Sequence, residues 1–319
     1  MCGMNKTFLH LFELNGKPFE RRENFLESGD KKIPIINGIP RFTPGKTYVS
    51  GNFSRLREKY GLLQFDSYNQ TNHRLETLLS RTNWPPKFFK DKTILECGCG
   101  SGPDTEILLK LGATVVAVDL TGLDIAKKNL NNKKNVLHVQ ASITDLPFRE
   151  KAFDIVFCHR VIHHTPDPPG TLDHILQFLK DEGAVFVHSY ANSCIQRFRW
   201  KYFLRPITSR FKPEKLYDII VKHSPLLFKF TRPLEKFWLG KIFNWIFVPF
   251  FNYREETIFK DKPDDFIIDY GIHDTFDALS PKYDKPMKAK TMKKIAEKHL
   301  KLPFEVVKKP TITLLRTKT

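Results

Sequence analysis

The 319-residue chain is 41% apolar and carries 52 basic against 35 acidic side chains, a net charge of +17. That composition supports one sizeable core plus an accessory unit of roughly 100 residues. Five cysteines, an odd number with two of them inside a glycine-rich turn, exclude a disulfide-stapled scaffold and suggest free thiols in a reducing, cytoplasmic setting.

In chain order, the opening MCGMNKTFLHLFEL lacks the basic start and unbroken apolar run of a secretion signal. Residues 1–84 read as an irregular N-terminal arm. From residue 85 the pattern alternates: a buried strand at Thr93–Cys97, a helix at Asp104–Leu111, a strand at Thr114–Asp119, a helix at Leu123–Asn131, strands at Val136–Val139 and Phe153–Cys158, a helix at Leu172–Lys180 and a strand at Ala184–Ser189. Such alternation requires right-handed crossovers and a parallel sheet covered on both faces, which makes residues 85–190 the core.

Residues 191–287 form an insertion rich in aromatics, Pro and Lys/Arg, with twelve basic against three acidic residues between Arg197 and Lys241. Its longest apolar interval, residues 237–251, is broken by Lys241 and Asn244 and is too short to span a bilayer. Residues 288–319 supply a basic amphipathic helix, KTMKKIAEKHL, and two β-rich runs joined across Pro310, which would add an antiparallel hairpin at the sheet edge. The expected fold is a doubly wound, Rossmann-like, seven-stranded and mostly parallel α/β sheet with a helical or irregular insertion.

The chemistry begins where the first core strand runs into Gly98, Gly100 and Gly102, so that the backbone can turn sharply and a ligand can approach it closely. A dinucleotide fingerprint would need glycine at position 103, which is Pro103. Glu96, just ahead of the loop, would repel a pyrophosphate but suits a ligand carrying an ammonium group. The loop therefore favours an amino-acid-bearing nucleoside. Asp119, ending the next strand, can accept from both hydroxyls of a ribose; the plainer reading is a core acid.

ILECGCGSG, VVAVDLT, SITDLPF, FDIVFCHRVIHHTPDP and LKDEGAVFVHSY together resemble the successive motifs of class I S-adenosylmethionine-dependent methyltransferases. The resemblance implies S-adenosylmethionine as cofactor, its methionine part held by Glu96, Gly98 and Gly100, its ribose by Asp119, with Cys99 and Gly102 as further cofactor-binding residues of the loop. It sets Leu120 and Ile143 on the two adenine faces and His159 beside the cofactor. Ser142 stands where an Asp commonly accepts from the adenine amino group. KKIPIINGIPRFTP, FDSYN and DTFDALSPKYDKP resemble segments of bacterial methyltransferases with a small zinc-ribbon-like arm. The arm's four metal cysteines are missing, with only Cys2 present, so no metal is expected.

For catalysis, His163 and then His164 are the candidates to take a proton from a hydroxyl, because imidazole titrates near neutrality. Packing or loop capping is the alternative role for both. Arg160, Asp274 and Tyr283 are candidate acceptor-binding residues, with Asp277 in the same cluster, and Tyr68 and Asn69 are placed to close over the cofactor. The insertion's mixture of cations and aromatics suits a cap over the site, contact with an anionic membrane surface, or, last, nucleic acid. The expected activity is methyl transfer to oxygen of a small or lipid-linked acceptor. The alternative is a membrane-surface binding module that has lost catalysis.

Overall fold

The computed structural model describes residues 6–43, 56–131, 133–256 and 259–318. Cys2 lies outside the described residues.

The arm is regular rather than irregular. Glu13–Leu14 (β1) and Lys17–Pro18 (β2) form a two-stranded ribbon, followed by a four-stranded antiparallel sheet of Glu20–Arg22 (β3), Phe25–Ser28 (β4), Lys31–Ile36 (β5) and Ile39–Pro40 (β6). Asn15, Asn37, Gly16, Gly29 and Gly38 adopt the left-handed conformation at the tight turns between these short strands. That turn chemistry had been visible in the sequence but lay in runs too short to read as strands.

The core follows the sequence pattern closely: Thr93–Cys97 (β7), Thr114–Asp119 (β8), Val136–Gln140 (β9), Phe153–His159 (β10), Leu179–Tyr190 (β11), Phe304–Lys308 (β12) and Ile312–Thr317 (β13) form one sheet in the order β12-β13-β11-β10-β7-β8-β9. The five strands β7 to β11 run parallel, and β13 pairs antiparallel with β11 and β12. Side chains alternate between the faces as a period of two demands. Ile94, Val115 and Ile155 pack on one side with Trp84, Phe89 and Leu108. Leu95, Val116 and Val156 pack on the other with Leu172, Met292 and the arm's Phe12 and Leu26. The helix expected at Leu172–Lys180 begins four residues earlier, at Pro168–Leu176, because Pro168 and Pro169 suit a first helical turn.

The arm closes the open edge of the sheet. β6 lies along β9, where Phe42 donates its N–H to the Gln140 carbonyl (2.7 Å) and Arg41 reaches both Gln140 (2.6 Å) and Asp124 (2.8 Å). Phe12 stacks with Phe42 and packs on Phe148. An exposed strand edge is thereby covered.

The insertion is helical, with helices Cys194–Arg197, Trp200–Thr208, Pro213–Leu234, Trp238–Phe247 and Asp264–Leu279. It has a core of its own, in which Trp200, Tyr217, Phe228, Phe250 and Phe276 are buried together. Among the described residues no helix is long and apolar enough to cross a membrane.

Candidate functional site

A cavity of about 380 Å³ opens at the carboxyl ends of β7, β8 and β10, where the strand order reverses. Gly98 and Gly100 form part of its floor in the left-handed conformation, φ 84° and 61°. A β-carbon on Gly98 would lie 2.4 Å from Val161, so the turn admits no side chain there. Gly102 opens the Pro103–Lys110 helix, whose amino end faces the same space.

Behind this floor the charges are paired. Asp104 accepts from Arg74 Nε (2.7 Å) and faces His159 Nδ1 (2.8 Å), while His159 Nε2 meets Arg81 (2.6 Å). Burial pushes the Asp104 carboxyl up, but Arg74 and His159 outweigh it and hold the group well below the usual carboxylate range. Burial drives His159 down to about 3 despite Asp104, so the ring is neutral at physiological pH. Glu96 lies beneath the loop, does not line the cavity, and accepts from the Thr105 hydroxyl (2.6 Å). Burial, with Asp104 adding to it, raises Glu96 to about 8. In this arrangement Glu96, expected as a cofactor contact, braces the helix that follows the loop through Thr105.

Asp119 lines the cavity, but its carboxylate is fully engaged. One oxygen accepts from Arg57 (3.2 Å) and the Thr121 N–H (3.1 Å), the other from Arg57 (3.1 Å) and the Gly100 N–H (2.9 Å). Two oxygens offer about four acceptor positions. A ribose can therefore bind Asp119 only if Arg57 withdraws. Arg57 belongs to the arm, and no local pattern in the sequence linked it to Asp119, 62 positions away.

The remaining expected residues divide clearly. Cys99, Gly100, Leu120, Ile143, His159, Arg160, His164 and Asp274 line the cavity, as does Asp277. Ser142 does not; its hydroxyl pairs with Thr144 (2.7 Å), and Ala141 takes the place beside Ile143. His163 is fully buried outside the cavity, its ring 3.8 Å from that of Tyr190, and burial holds it well below the ordinary histidine range. The first-choice catalytic candidate thus does not face the cavity, whereas the second, His164, does, with its Nδ1 donating to the Tyr283 carbonyl (2.9 Å). The Tyr283 side chain is turned away from the cavity toward Lys282 and Lys285. Tyr68 points to solvent and Asn69 bonds the Leu63 carbonyl; Leu56, Arg57 and Gln64 from the same segment reach the cavity instead.

The cap supplies walls that the sequence reading missed. Arg199, Lys201, Tyr253 and His273 join Tyr190 and His188 around the cavity. Lys201 is buried and paired with Asp284 (2.7 Å), and Asp274 accepts from the Tyr253 hydroxyl and from His273 Nδ1 (2.8 Å). Only the i, i+1 proximity of His273 and Asp274 was legible beforehand. Apolar surfaces from Leu120 and Ile143, glycine backbone and a carboxylate together fit a nucleoside with a charged tail. Among the described residues no group of three or more His, Cys, Asp or Glu is arranged to hold a metal.

Residues 95–187 match the family model described as Methyltransferase domain. The ubiquinone biosynthesis O-methyltransferase of Haemophilus ducreyi is 30% identical over 152 residues, covering 45% of this chain and 61% of that protein. The protein of the same name from Coxiella burnetii is 28% identical over 149 residues, 46% of this chain and 60% of its own length. The chain thus spans about three fifths of these curated relatives. An S-adenosylmethionine dependent methyltransferase structure from Mesorhizobium loti overlaps 34% of this chain and 50% of that one, with 20% identity and a TM-score of 0.31.

Proposed function

We propose, from the premise that residues 95–187 are a class I S-adenosylmethionine-dependent methyltransferase domain, that the whole chain methylates an oxygen on a lipid-linked, quinone-like acceptor at a membrane surface. The observation that carries this reading is the single cavity walled on one side by the glycine loop, Asp119, Leu120 and Ile143 and on the other by the cap. The curated relatives, named for ubiquinone O-methylation, support the acceptor class. An intact loop and a continuous cavity favour turnover over a binding module without catalysis.

Bound S-adenosylmethionine supplies a methyl group on an electron-poor sulfonium. The chain's residues do the rest. Leu120 and Ile143 clasp a flat base, and Asp119 takes the ribose once Arg57 has left it. His164 lines the cavity with its Nδ1 donating to the Tyr283 carbonyl, and its imidazole is the group suited to take the proton of a phenolic hydroxyl of the acceptor. The cap excludes water and aligns the two reactants, and alignment supplies much of the acceleration in such transfers. We assign no metal to the site.

The membrane half of the reading rests on the outer face of the cap. Phe203, Leu226, Trp238 and Phe247 are more than 60% exposed, and Phe198, Ile207, Phe230 and Phe237 more than half exposed. Arg197, Lys222, Lys229, Lys236 and Lys241 are exposed among them. Large exposed apolar patches with interspersed cations suit an anionic lipid surface.

The test is transfer of labelled methyl from S-adenosylmethionine to a prenylated catechol presented in vesicles. His164→Ala should reduce turnover about a hundredfold or more while leaving cofactor affinity intact. Transfer unaffected by that change would remove His164 from catalysis, and no transfer to any prenylated catechol would refute the acceptor class.

A further inference from the structure

The cavity wall contributed by β11 and the cap holds polar groups that no protein group among the described residues satisfies. His188 is 2% exposed, lines the cavity, and has no hydrogen-bond partner for either ring nitrogen among the described residues. Arg199, at the start of the Trp200–Thr208 helix, also lines it; its guanidinium lies over Phe251 (4.5 Å), yet its buried Nε donates to nothing. Arg160, held at φ 62° directly after β10, forms no hydrogen bond or ion pair among the described residues. A non-glycine residue in this conformation is uncommon and calls for an explanation beyond packing.

The other cations of the cavity are accounted for. Arg57 has Asp119, Arg74 has Asp104, Lys201 has Asp284, and Arg81 has His159. The guanidinium groups of Arg160 and Arg199 form neither a hydrogen bond nor an ion pair among the described residues, and Asp274 acts on both only through space. Asp274 and Asp277 share the cavity but form no ion pair with either arginine among the described residues, and Asp274 already accepts from Tyr253 and His273. A guanidinium only donates, so it calls for an acceptor; a buried guanidinium is best stabilised by a hydrogen-bonded counter-charge, which favours an anion. Arginine's fork suits carboxylate and phosphate alike.

We propose that Arg160 and Arg199, with His188 beside them, form a subsite for an anionic group, carboxylate or phosphate, carried by the methyl acceptor. The proposal rests on the methyltransferase reading above and narrows its substrate class: the lipid-linked acceptor bears a negative charge close to its reacting oxygen. Because the methionine carboxylate of the cofactor has the same chemistry, the test separates the two sources.

Calorimetric titrations of the full chain saturated with S-adenosylhomocysteine would compare farnesyl phosphate and farnesoate with the neutral alcohol farnesol. At least one anion should bind ten times or more tightly than farnesol. Arg199→Gln and Arg160→Gln should abolish that preference and change S-adenosylhomocysteine affinity less than twofold, with unaltered melting temperatures as the control for folding. Arg199→Lys should keep part of it, since the charge remains while the fork is lost. Equal binding of all three probes would overturn the proposal. So would variants that lose S-adenosylhomocysteine tenfold while retaining the preference, because the arginines would then serve the cofactor. Failure of the parent chain to bind S-adenosylhomocysteine would instead refute the underlying methyltransferase reading.

Discussion

At the scale of single residues, the most consequential contact is the one between Arg57 and Asp119. A carboxylate whose acceptor positions are all taken cannot receive two ribose hydroxyls, so binding and the Arg57 contact exclude each other. Arg57→Ala should therefore bind S-adenosylhomocysteine at least as tightly as the parent chain in a calorimetric titration. A tenfold loss would mean that Arg57 holds Asp119 in position instead of competing for it. Glu96 makes a second expectation. Its folded pKa of about 8 lies above the unfolded value of 4.5, chiefly through burial. Between these values the folded chain retains a proton that the unfolded chain has lost, so stability falls as pH rises from about 4.5 to about 8 and levels off beyond. Glu96→Gln keeps an acceptor for Thr105 and removes the charge. Its melting temperature should exceed the parent's by more at about pH 8.5 than at about pH 5; an equal offset at both would deny the raised pKa.

At the scale of elements, the strands of the sheet were legible because buried parallel strands are continuous apolar runs bounded by glycine or polar turns, as in TILEC and TVVAVD. The glycine loop and Asp119 were legible for the same reason, since strand ends fix where a ligand can lie. What escaped was long-range pairing. Nothing local announces that Arg74 will reach Asp104 or that Arg199 will turn inward. In RFRWKYF the alternation of charge and ring looked uniform, yet Arg197 is exposed while Trp200 and Lys201 are buried and Arg199 lines the cavity, because Arg197 ends one short helix and Arg199 caps the next, whose first turn faces inward. The exposed cations of the cap's outer face include Arg197, Lys229, Lys236 and Lys241. Replacing these four by Gln should weaken binding to anionic vesicles, while added salt weakens it in the parent, since each surface cation contributes about 1 kcal/mol and is screened. Sedimentation showing equal binding to anionic and neutral vesicles would leave the insertion as a cap only.

At the scale of the whole molecule, three apolar clusters divide the labour: two cover the faces of the sheet and one holds the cap together. The arm seals the β9 edge and also delivers Arg57 and Gln64 to the cavity, so the ends of the chain and its middle meet at one site. The exposed face of the cap carries the apolar side chains that no internal surface covers. This arrangement gives the proposed methyl-donor and acceptor halves one continuous space.

Asp119 is the residue on which the donor half of the cavity turns. Titration calorimetry of the parent chain with S-adenosylhomocysteine should give a dissociation constant in the low micromolar range, about −8 kcal/mol. Asp119→Ala should weaken it at least tenfold. No measurable binding by the parent, or parent-like affinity in Asp119→Ala, would contradict the assignment of this cavity to S-adenosylmethionine.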